Sequence, residues 1–318
     1  MNIGIDMMGG DYAPLEAVKG IETYLKANQS QNIHLSLFGN ADEITPLLAM
    51  HSISDSNYTI VHTPQVIDMH EPPTKALKEK QQSSIAVGFS HLAAGATDAF
   101  ISAGNTGAML VGALFSIKAV EGVLRPTISS IIPKQNGGTG LLLDVGLNTD
   151  CKPEQLNQFA LMGSVYSHTV LGVNCPKVGL LSVGEEEGKG NLLTQAAYQL
   201  LKNNKSINFI GNIEGRDAFN DKADVIVCDG FTGNIILKMA ESIFDIAKNQ
   251  NIDNEYFNRF NFEIYGGTPV LGVSKPVIIG HGISQDVAFS NMIDVATKMV
   301  DTHVLTKVQE AIKGCSLL

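Results

Sequence analysis

The chain has 318 residues, of which 44% are hydrophobic and 17% charged, and a net charge of −10. So low a charge density excludes a disordered chain and suits a sizeable core, with a buried subunit interface as well. An acidic balance with three arginines, Arg125, Arg216 and Arg259, argues against a nucleic-acid binder, which would show a basic stripe.

Length alone allows one large α/β unit or two domains, and the reading adopted is one domain over residues 1–318. The opening MNIGID reads directly as a strand, with no leader ahead of it, so a cytoplasmic protein is expected. The turn MMGGDYAP follows: Asp6 ends the strand, Gly9 and Gly10 permit a tight turn, and a helix begins near Pro14. Its shape is that of a ligand loop, but it lacks the G-x-G-x-x-G fingerprint of dinucleotide binding.

Strand IHLSLFG, a helix from Ala41 and strand YTIVHT come next, the alternation of a parallel or mixed sheet. Two prolines then open a lysine-bearing helix, with Lys75, Lys78 and Lys80 as either a solvated face or a docking patch. His70 and Glu71 are adjacent but have no companions at ligand spacing, so no metal is expected. Strand DAFISA enters the turn GNTG and an apolar helix to Ile117. The uncharged run from Ala99 to Ile117 has the length of a membrane span but is broken by Ser102, Gly104, Asn105 and Gly107. Asn105 and Thr106 serve there either as anion donors or as the cap of the helix.

Beyond Arg125, strands TISSIIP and GLLLD flank the turn residues NGGTG. A strand ends at Asp144, a turn carries Asn148, and a helix opened by Pro153 runs to about Leu171. The stretch VGLLSVGEEEGKGN then passes from a buried strand into three glutamates and a Gly-Lys-Gly segment before a helix from Leu192. Its spacing is not that of a P-loop. It is either a solvated acidic loop or an anion site in which Lys189, Asn191 and a helix amino end converge. Strand INFIGN, EGRD and strand DVIVC lead to DGFTGNIILK, a second Gly-x-x-Gly turn with Thr232 and Asn234 as donors and a helix from Asn234 to about Lys248. A polar-aromatic connection, strand PVIIG, the turn at His281 and one long amphipathic helix through Val308 complete the chain.

Five strand ends, at Asp6, Asn105, Asp144, Glu185 and Asp229, carry glycine with short polar residues, which predicts one cleft assembled from several strands. No motif for a metal, flavin, nicotinamide or nucleotide is present, so no cofactor is expected. Cys151, Cys175, Cys228 and Cys315 show no C-x-x-C spacing and read as reduced thiols. The chemistry indicated is anion positioning: Lys189, Asn, Thr and backbone donors hold a phosphate while Glu187 and Asp229 orient the cations.

Taken together, IDMMGGDYAP, ISAGNTGAML, LLLDVGLNTDCKPE, VGLLSVGEEEGKGN, NFIGNIEGRD, DVIVCDGFTGNIILK, YGGTPVLG and the turn at His281 resemble the phosphate acyltransferase (PlsX) family of bacterial phospholipid synthesis over nearly the whole chain. The resemblance implies an α/β/α three-layer fold on a mixed sheet, like isocitrate and isopropylmalate dehydrogenases, with two intertwined subdomains and a homodimer. It implies transfer of a fatty acyl group from acyl carrier protein to inorganic phosphate, the acyl phosphate passing to a membrane glycerol-3-phosphate acyltransferase. On this basis Lys189, Asn191, Glu187 and Asp229 are the expected catalytic set. Asp6, Gly9, Gly10, Asn105, Thr106, Asp144, Asn148, Thr232, Asn234 and His281 are the expected phosphate and substrate contacts.

An acidic enzyme needs a local basic patch for an acidic carrier, and Lys75, Lys78, Lys80, Lys118 and Arg125 are the candidates. Met7, Leu147 and the third glutamate of the run depart from the family's usual pattern. The segment 247–262 looks shorter and more polar than the family's membrane-docking excursion, with Phe257 and Phe260 as its strongly apolar rings, so at most weak peripheral membrane contact is expected. The rival readings are a phosphotransacylase that uses acyl-CoA and a noncatalytic acyl- or phosphate-binding protein.

Overall fold

The computed structural model describes residues 1–28 and 32–315. The chain divides into two compact units, each discontinuous: one holds Met1–Lys118 and Phe262–Asp301, the other Ala119–Asn261 and the chain from Thr302 onward. The backbone thus leaves the first unit, builds the second, returns and leaves again. That is the intertwining expected from the sequence.

The first unit opens with β1 (Asn2–Asp6), α1 (Leu15–Ala27), β2 (His34–Gly39), α2 (Ala41–Met50), β3 (Tyr58–His62), α3 (Pro73–Glu79), α4 (Ser84–Ala94), β4 (Ala99–Ser102) and α5 (Thr106–Gly112). The strands pair in parallel in the order β3-β2-β1-β4. All four residues of β4 are buried, as are the last four of β1, and consecutive strand residues point to opposite faces. Helices therefore cover both sides of the sheet, the three-layer arrangement. Helix α4 went unread in the sequence because SIAVGFSHLAA is apolar on most of its circumference and shows no clean amphipathic period. It is a core helix, with Phe89 edge-on to Phe100 of β4 at 5.2 Å.

The second unit comprises β5 (Thr127–Pro133), β6 (Thr139–Leu143), α6 (Pro153–Thr169), β7 (Lys177–Leu181), α7 (Leu192–Asn203), β8 (Asn208–Ile213), β9 (Val225–Val227), α8 (Gly230–Asn249) and α9 (Glu255–Asn258). Strands β5 and β6 form an antiparallel hairpin, and β6-β9-β7-β8 run parallel. Helix α8 begins four residues earlier than the sequence reading placed it, because Asp229 caps it by accepting from the Thr232 amide at 2.9 Å.

The returning segment adds β10 (Thr268–Leu271), β11 (Val277–Ile279) and α10 (Asp286–Asp301) to the first unit. There β11 lies parallel to β4 and β10 antiparallel to β11, so each unit's sheet is mixed. The expected single carboxyl-terminal helix is in fact two. Helix α10 packs on α1, and α11 (Val304–Cys315) packs on α6 of the other unit. His303, in the left-handed region at φ 51, makes the break between them.

The polar-aromatic connection also differs from its sequence reading. Phe260 is 6% exposed and edge-on to Phe219 and Tyr256, each at 5.3 Å. The Arg259 guanidinium is held by the fold, donating to the Lys134 and Gly138 carbonyls at the β5-β6 turn. Phe260→Ala empties a core position at a cost of about 3 kcal/mol or more. Thermal unfolding followed by circular dichroism should show a lowered Tm whether or not lipid vesicles are added.

Candidate active site

In the second unit β6 ends at Leu143, and Asp144 just beyond it is fully buried. Its carboxylate accepts from the amides of Gly146, Leu147 and Asn148 at 3.1, 3.1 and 2.7 Å, and from Asn148 Nδ2 at 2.7 Å. Burial pushes its pKa up, and these hydrogen bonds pull the other way. Asn148 also donates to the Pro126 carbonyl, and its own carbonyl accepts from the Gly230 amide at 2.7 Å. Asn234 Nδ2 donates to the Val145 carbonyl at 3.1 Å. Asp144, Asn148 and Asn234 thus join the loop after β6 to the first turns of α8.

Next to that joint, a cavity of ≈ 330 Å³ lies at the carboxyl ends of β7 and β9, lined among others by Ser182, Gly190, Asn191, Thr194, Asp229 and Thr232. Two helices of 12 and 20 residues begin on it, α7 capped by Asn191 and α8 by Asp229. Their first-turn amides have no partner within the helix and carry the positive end of each helix dipole. Asp229 spends its carboxylate on the Thr232 amide and hydroxyl, both at 2.9 Å. Asn191 accepts from the Thr194 amide at 2.9 Å and lies within 3.1 Å of its hydroxyl. Both residues are therefore positioners of helix ends.

Ser182 and Thr194 were missed in the sequence. The Ser182 hydroxyl is buried on the cavity wall without a hydrogen-bond partner, which leaves it free to bond a ligand. Its only sequence signal is its place at the end of the run VGLLS. Gly190 sits between the two, at φ +101, where a Cβ would stand 2.0 Å from Thr194 Oγ1 and 2.9 Å from Ser182 Oγ. Only glycine lets that backbone approach the cavity.

Two of the three glutamates are drawn away from Lys189. Glu185 pairs with Lys222 at 2.6 Å and Glu187 with Lys202 at 2.8 Å, and Gln199 donates to Glu187 at 2.8 Å. The Lys202 bond holds the Glu187 pKa below the usual carboxylate range. Lys189 is exposed in the loop before Gly190, and among the described residues its ammonium has no hydrogen-bond or ion-pair partner. Glu187 thus anchors the loop to α7, and Lys189 keeps its charge for a ligand.

A larger hollow of ≈ 700 Å³ lies at the opposite edge, by the amino ends of β7 and β8, beside His168, Cys175, Lys205 and Lys307. Helices α6 and α7 end there, so their dipoles oppose an anion, and the smaller cavity is the better candidate.

In the first unit three loops meet. Asp6, 1% exposed, accepts from the Ser102 hydroxyl at 2.6 Å and the Met8 amide at 3.0 Å, and burial pushes its pKa up. The Ser102 hydroxyl in turn accepts from the Gly104 amide at 2.9 Å. A Cβ on Gly9 would lie 2.6 Å from the Gly104 nitrogen, so the two loops touch through backbone. The Asp11 amide, next to Gly10, donates to the Gly282 carbonyl at 2.7 Å, and the His281 ring packs against Phe262, tilted by 37° with centroids 4.4 Å apart. Asn105 is 4% exposed, caps α5 by accepting from the Ala108 amide, and donates to the carbonyls of Asp68, Met69 and Glu71. Thr106 begins α5 and is exposed. Lys75 and Lys78 are exposed on α3, which packs on α5, whereas Lys80 is bonded to Glu71 and the Val66 carbonyl. Lys118 is exposed in this unit, and Arg125 is exposed in the other.

Among the described residues no three His, Cys, Asp or Glu side chains are grouped to hold a metal, and no helix is long and apolar enough to cross a membrane. The side chain of Cys315 lies outside the described residues.

Residues 1–307 match the family described as "Fatty acid synthesis protein". The chain is 43% identical to a Dictyoglomus turgidum protein named "Phosphate acyltransferase", with 98% of each covered. It is 42% identical to an Aquifex aeolicus protein of the same name, over 97% of this chain and 96% of that one. In fold it resembles the EutD phosphotransacetylase of Staphylococcus aureus, with a TM-score of 0.63, 17% identity and 94% of each chain covered. A branched-chain phosphotransacylase of Enterococcus faecalis gives a TM-score of 0.60 at 16% identity, over 94% of this chain and 99% of that one. The chain belongs to the fatty acid synthesis protein family matched over residues 1–307. It is an enzyme of the acyltransferase class.

Two outcomes test the site. Gly190→Ala should abolish turnover without lowering Tm by more than a few degrees, read by an end-point assay and a melt. Burial, reinforced by Asp144, pushes the Cys151 thiol up to about 12, and burial pushes Cys228 well up too, whereas Cys175 is exposed. Iodoacetamide at pH 8 should therefore modify Cys175 well before half-buried Cys151 or buried Cys228, as peptide mass mapping would show, because the latter two thiols stay protonated.

Proposed function

We propose that this enzyme transfers a long-chain fatty acyl group from acyl carrier protein to inorganic phosphate at the cavity between the amino ends of α7 and α8. The carrying observation is the meeting there of two helix amino ends, the Gly190 backbone, a partnerless Ser182 hydroxyl and, on the adjoining loop, the unpaired Lys189. That set supports binding of a small dianion. Relatives named phosphate acyltransferases support phosphate as the acceptor.

The reaction asks little acid or base of the protein. A hydrogenphosphate oxygen attacks the thioester carbonyl carbon, the new C–O bond forms, and the C–S bond breaks. The phosphate proton passes to the departing thiolate, whose ordinary pKa of about 8.5 makes it an adequate leaving group. The chain supplies position and charge: Lys189 and the helix-end amides draw phosphate and the thioester oxygen together and stabilise the developing oxyanion. Asp229, Asn191 and Glu187 act through the elements they fix, Asp229 and Asn191 by capping α8 and α7, Glu187 by tying the lysine loop to α7. Half-buried Cys151 and buried Cys228, both with raised thiol pKa, do not suit an acyl-thioester intermediate, so direct transfer to phosphate is the simpler course.

The exposed lysines of α3, Lys75 and Lys78, are the proposed landing point for the acidic carrier, with Lys118 and Arg125 as further cations. The acyl phosphate is handed to a membrane glycerol-3-phosphate acyltransferase, and the enzyme works in the cytoplasm as a homodimer.

The test is phosphate-dependent release of free carrier thiol from hexadecanoyl acyl carrier protein, with the product trapped by hydroxylamine. Lys189→Ala should lose about 10²-fold or more in kcat/KM. Release without phosphate, or an unaffected variant, overturns the site; reaction with acyl-CoA alone overturns the carrier.

A further inference from the structure

The groups assigned so far to the cavity between α7 and α8 attract an anion without telling one tetrahedral dianion from another. Helix-end amides, the Lys189 ammonium and the Ser182 hydroxyl can all donate to sulfate as well as to hydrogenphosphate, and the two ions share shape and charge. They differ in one proton. Near neutral pH inorganic phosphate carries hydrogen on oxygen and sulfate carries none, and only a hydrogen-bond acceptor can read the difference.

The cavity wall holds such an acceptor. Thr232, which the sequence suggested as a donor, lines the cavity, but its hydroxyl donates to the Asp229 carboxylate at 2.9 Å. A hydroxyl has one proton and two lone pairs, so with the proton committed the Thr232 oxygen has only lone pairs to offer a ligand. The carboxylate behind it polarises the hydroxyl and strengthens that acceptor. Capping does not require this bond, because Asp229 already accepts from the Thr232 amide at 2.9 Å. Thr194 on α7 is a second hydroxyl of the cavity with its proton spent, donating to the Asn191 carbonyl at 3.0 Å and lying 3.1 Å from Asn191 Oδ1. Its acceptors are uncharged, so it lacks the polarisation that Asp229 gives Thr232. Ser182, buried without a partner, keeps its proton for a bare oxygen.

We propose that Thr232 is the specificity-determining residue of the phosphate site: its oxygen accepts the hydrogen bond of the protonated phosphate oxygen, so the site takes hydrogenphosphate and rejects sulfate. This rests on the proposed acyl transfer to phosphate and deepens it. The bond also orients the ion. With the P–OH group turned to Thr232, the bare oxygens face Lys189, Ser182 and the helix-end amides, and one of them is the nucleophile. Sulfate in the same place would set an unprotonated oxygen against the Thr232 lone pairs with the Asp229 charge behind them, an unpaired and repulsive contact.

The experiment measures KM for phosphate and the competitive Ki of sulfate in thiol release from hexadecanoyl acyl carrier protein, at constant ionic strength, for wild type, Thr232→Val, Thr232→Ser and Thr194→Val. In the wild type the sulfate Ki should exceed the phosphate KM by about tenfold or more, because a site built to bond a substrate hydroxyl rejects the analogue without it. Thr232→Val should narrow that ratio by about tenfold, raising KM and lowering Ki, with its Tm within a few degrees of wild type. Thr232→Ser should keep the ratio, and Thr194→Val should leave it within about twofold. Sulfate that competes on equal terms in the wild type overturns the assignment whether or not any variant folds. So does a Thr232→Val enzyme whose kcat falls with the ratio unchanged, which leaves Thr232 a residue of the helix cap alone, and so does a ratio that moves with Thr194 instead. A wild type that releases no thiol with phosphate present removes acyl transfer and the selectivity together, whereas turnover that sulfate blocks as readily as phosphate sustains it removes the selectivity alone.

Discussion

A carboxylate buried at the end of a central strand shapes each unit. Asp144 gathers four backbone amides, those of Ile128, Gly146, Leu147 and Asn148, and the Asn148 amide group, and Asp6 gathers the Met8 amide and the Ser102 hydroxyl. A loop that turns back over the edge of a parallel sheet leaves amides without sheet or helix partners, and a buried amide left unpaired is costly. The carboxylate supplies those partners and is desolvated in doing so, which is why its pKa rises despite the bonds it accepts. Asp6 and Asp144 are therefore read best as organisers of the loops beside a ligand. The same logic extends to Asn105, whose side chain joins the residues before α3 to the start of α5.

Charge is sorted in a similar way around the GEEEGKG loop. Two of its glutamates are drawn to Lys222 and Lys202 on neighbouring segments, and so the cation between the glycines is not neutralised by its own loop. Each exposed pair contributes little stability by itself. Their effect is on placement: they pin both sides of a flexible Gly-rich turn and leave Lys189 free at its tip. In a chain with a net charge of −10, such local sorting is what allows an anion to be attracted.

Much of this was legible in the sequence because it is local. Strand, Gly-bearing turn and helix follow one another at short range, so the α/β class, the strand ends at Asp6, Asp144 and Asp229, and the turns at Gly9, Asn105 and Gly190 could be read from patterns of a dozen residues. Other elements were hidden for equally physical reasons. A core helix such as α4 has no polar face to betray its period. The break at His303 has no glycine or proline to announce it. Phe260 reads as a surface aromatic in a polar segment until Phe219, 41 residues earlier, is brought against it.

The sequence by itself determined which residue types stand at the strand ends and that they suit an anion, since capping and turn chemistry act between neighbours. Only the tertiary structure decided which of them remain free for a ligand. Asn105, Asn191, Asp229 and Thr232 are taken up by helix caps, Glu185 and Glu187 by distant lysines, while Ser182 and Lys189 are left available. Hydrogen-bond partners and ion pairs are chosen by groups that folding brings from 15 to 37 residues away, and no local pattern records that choice.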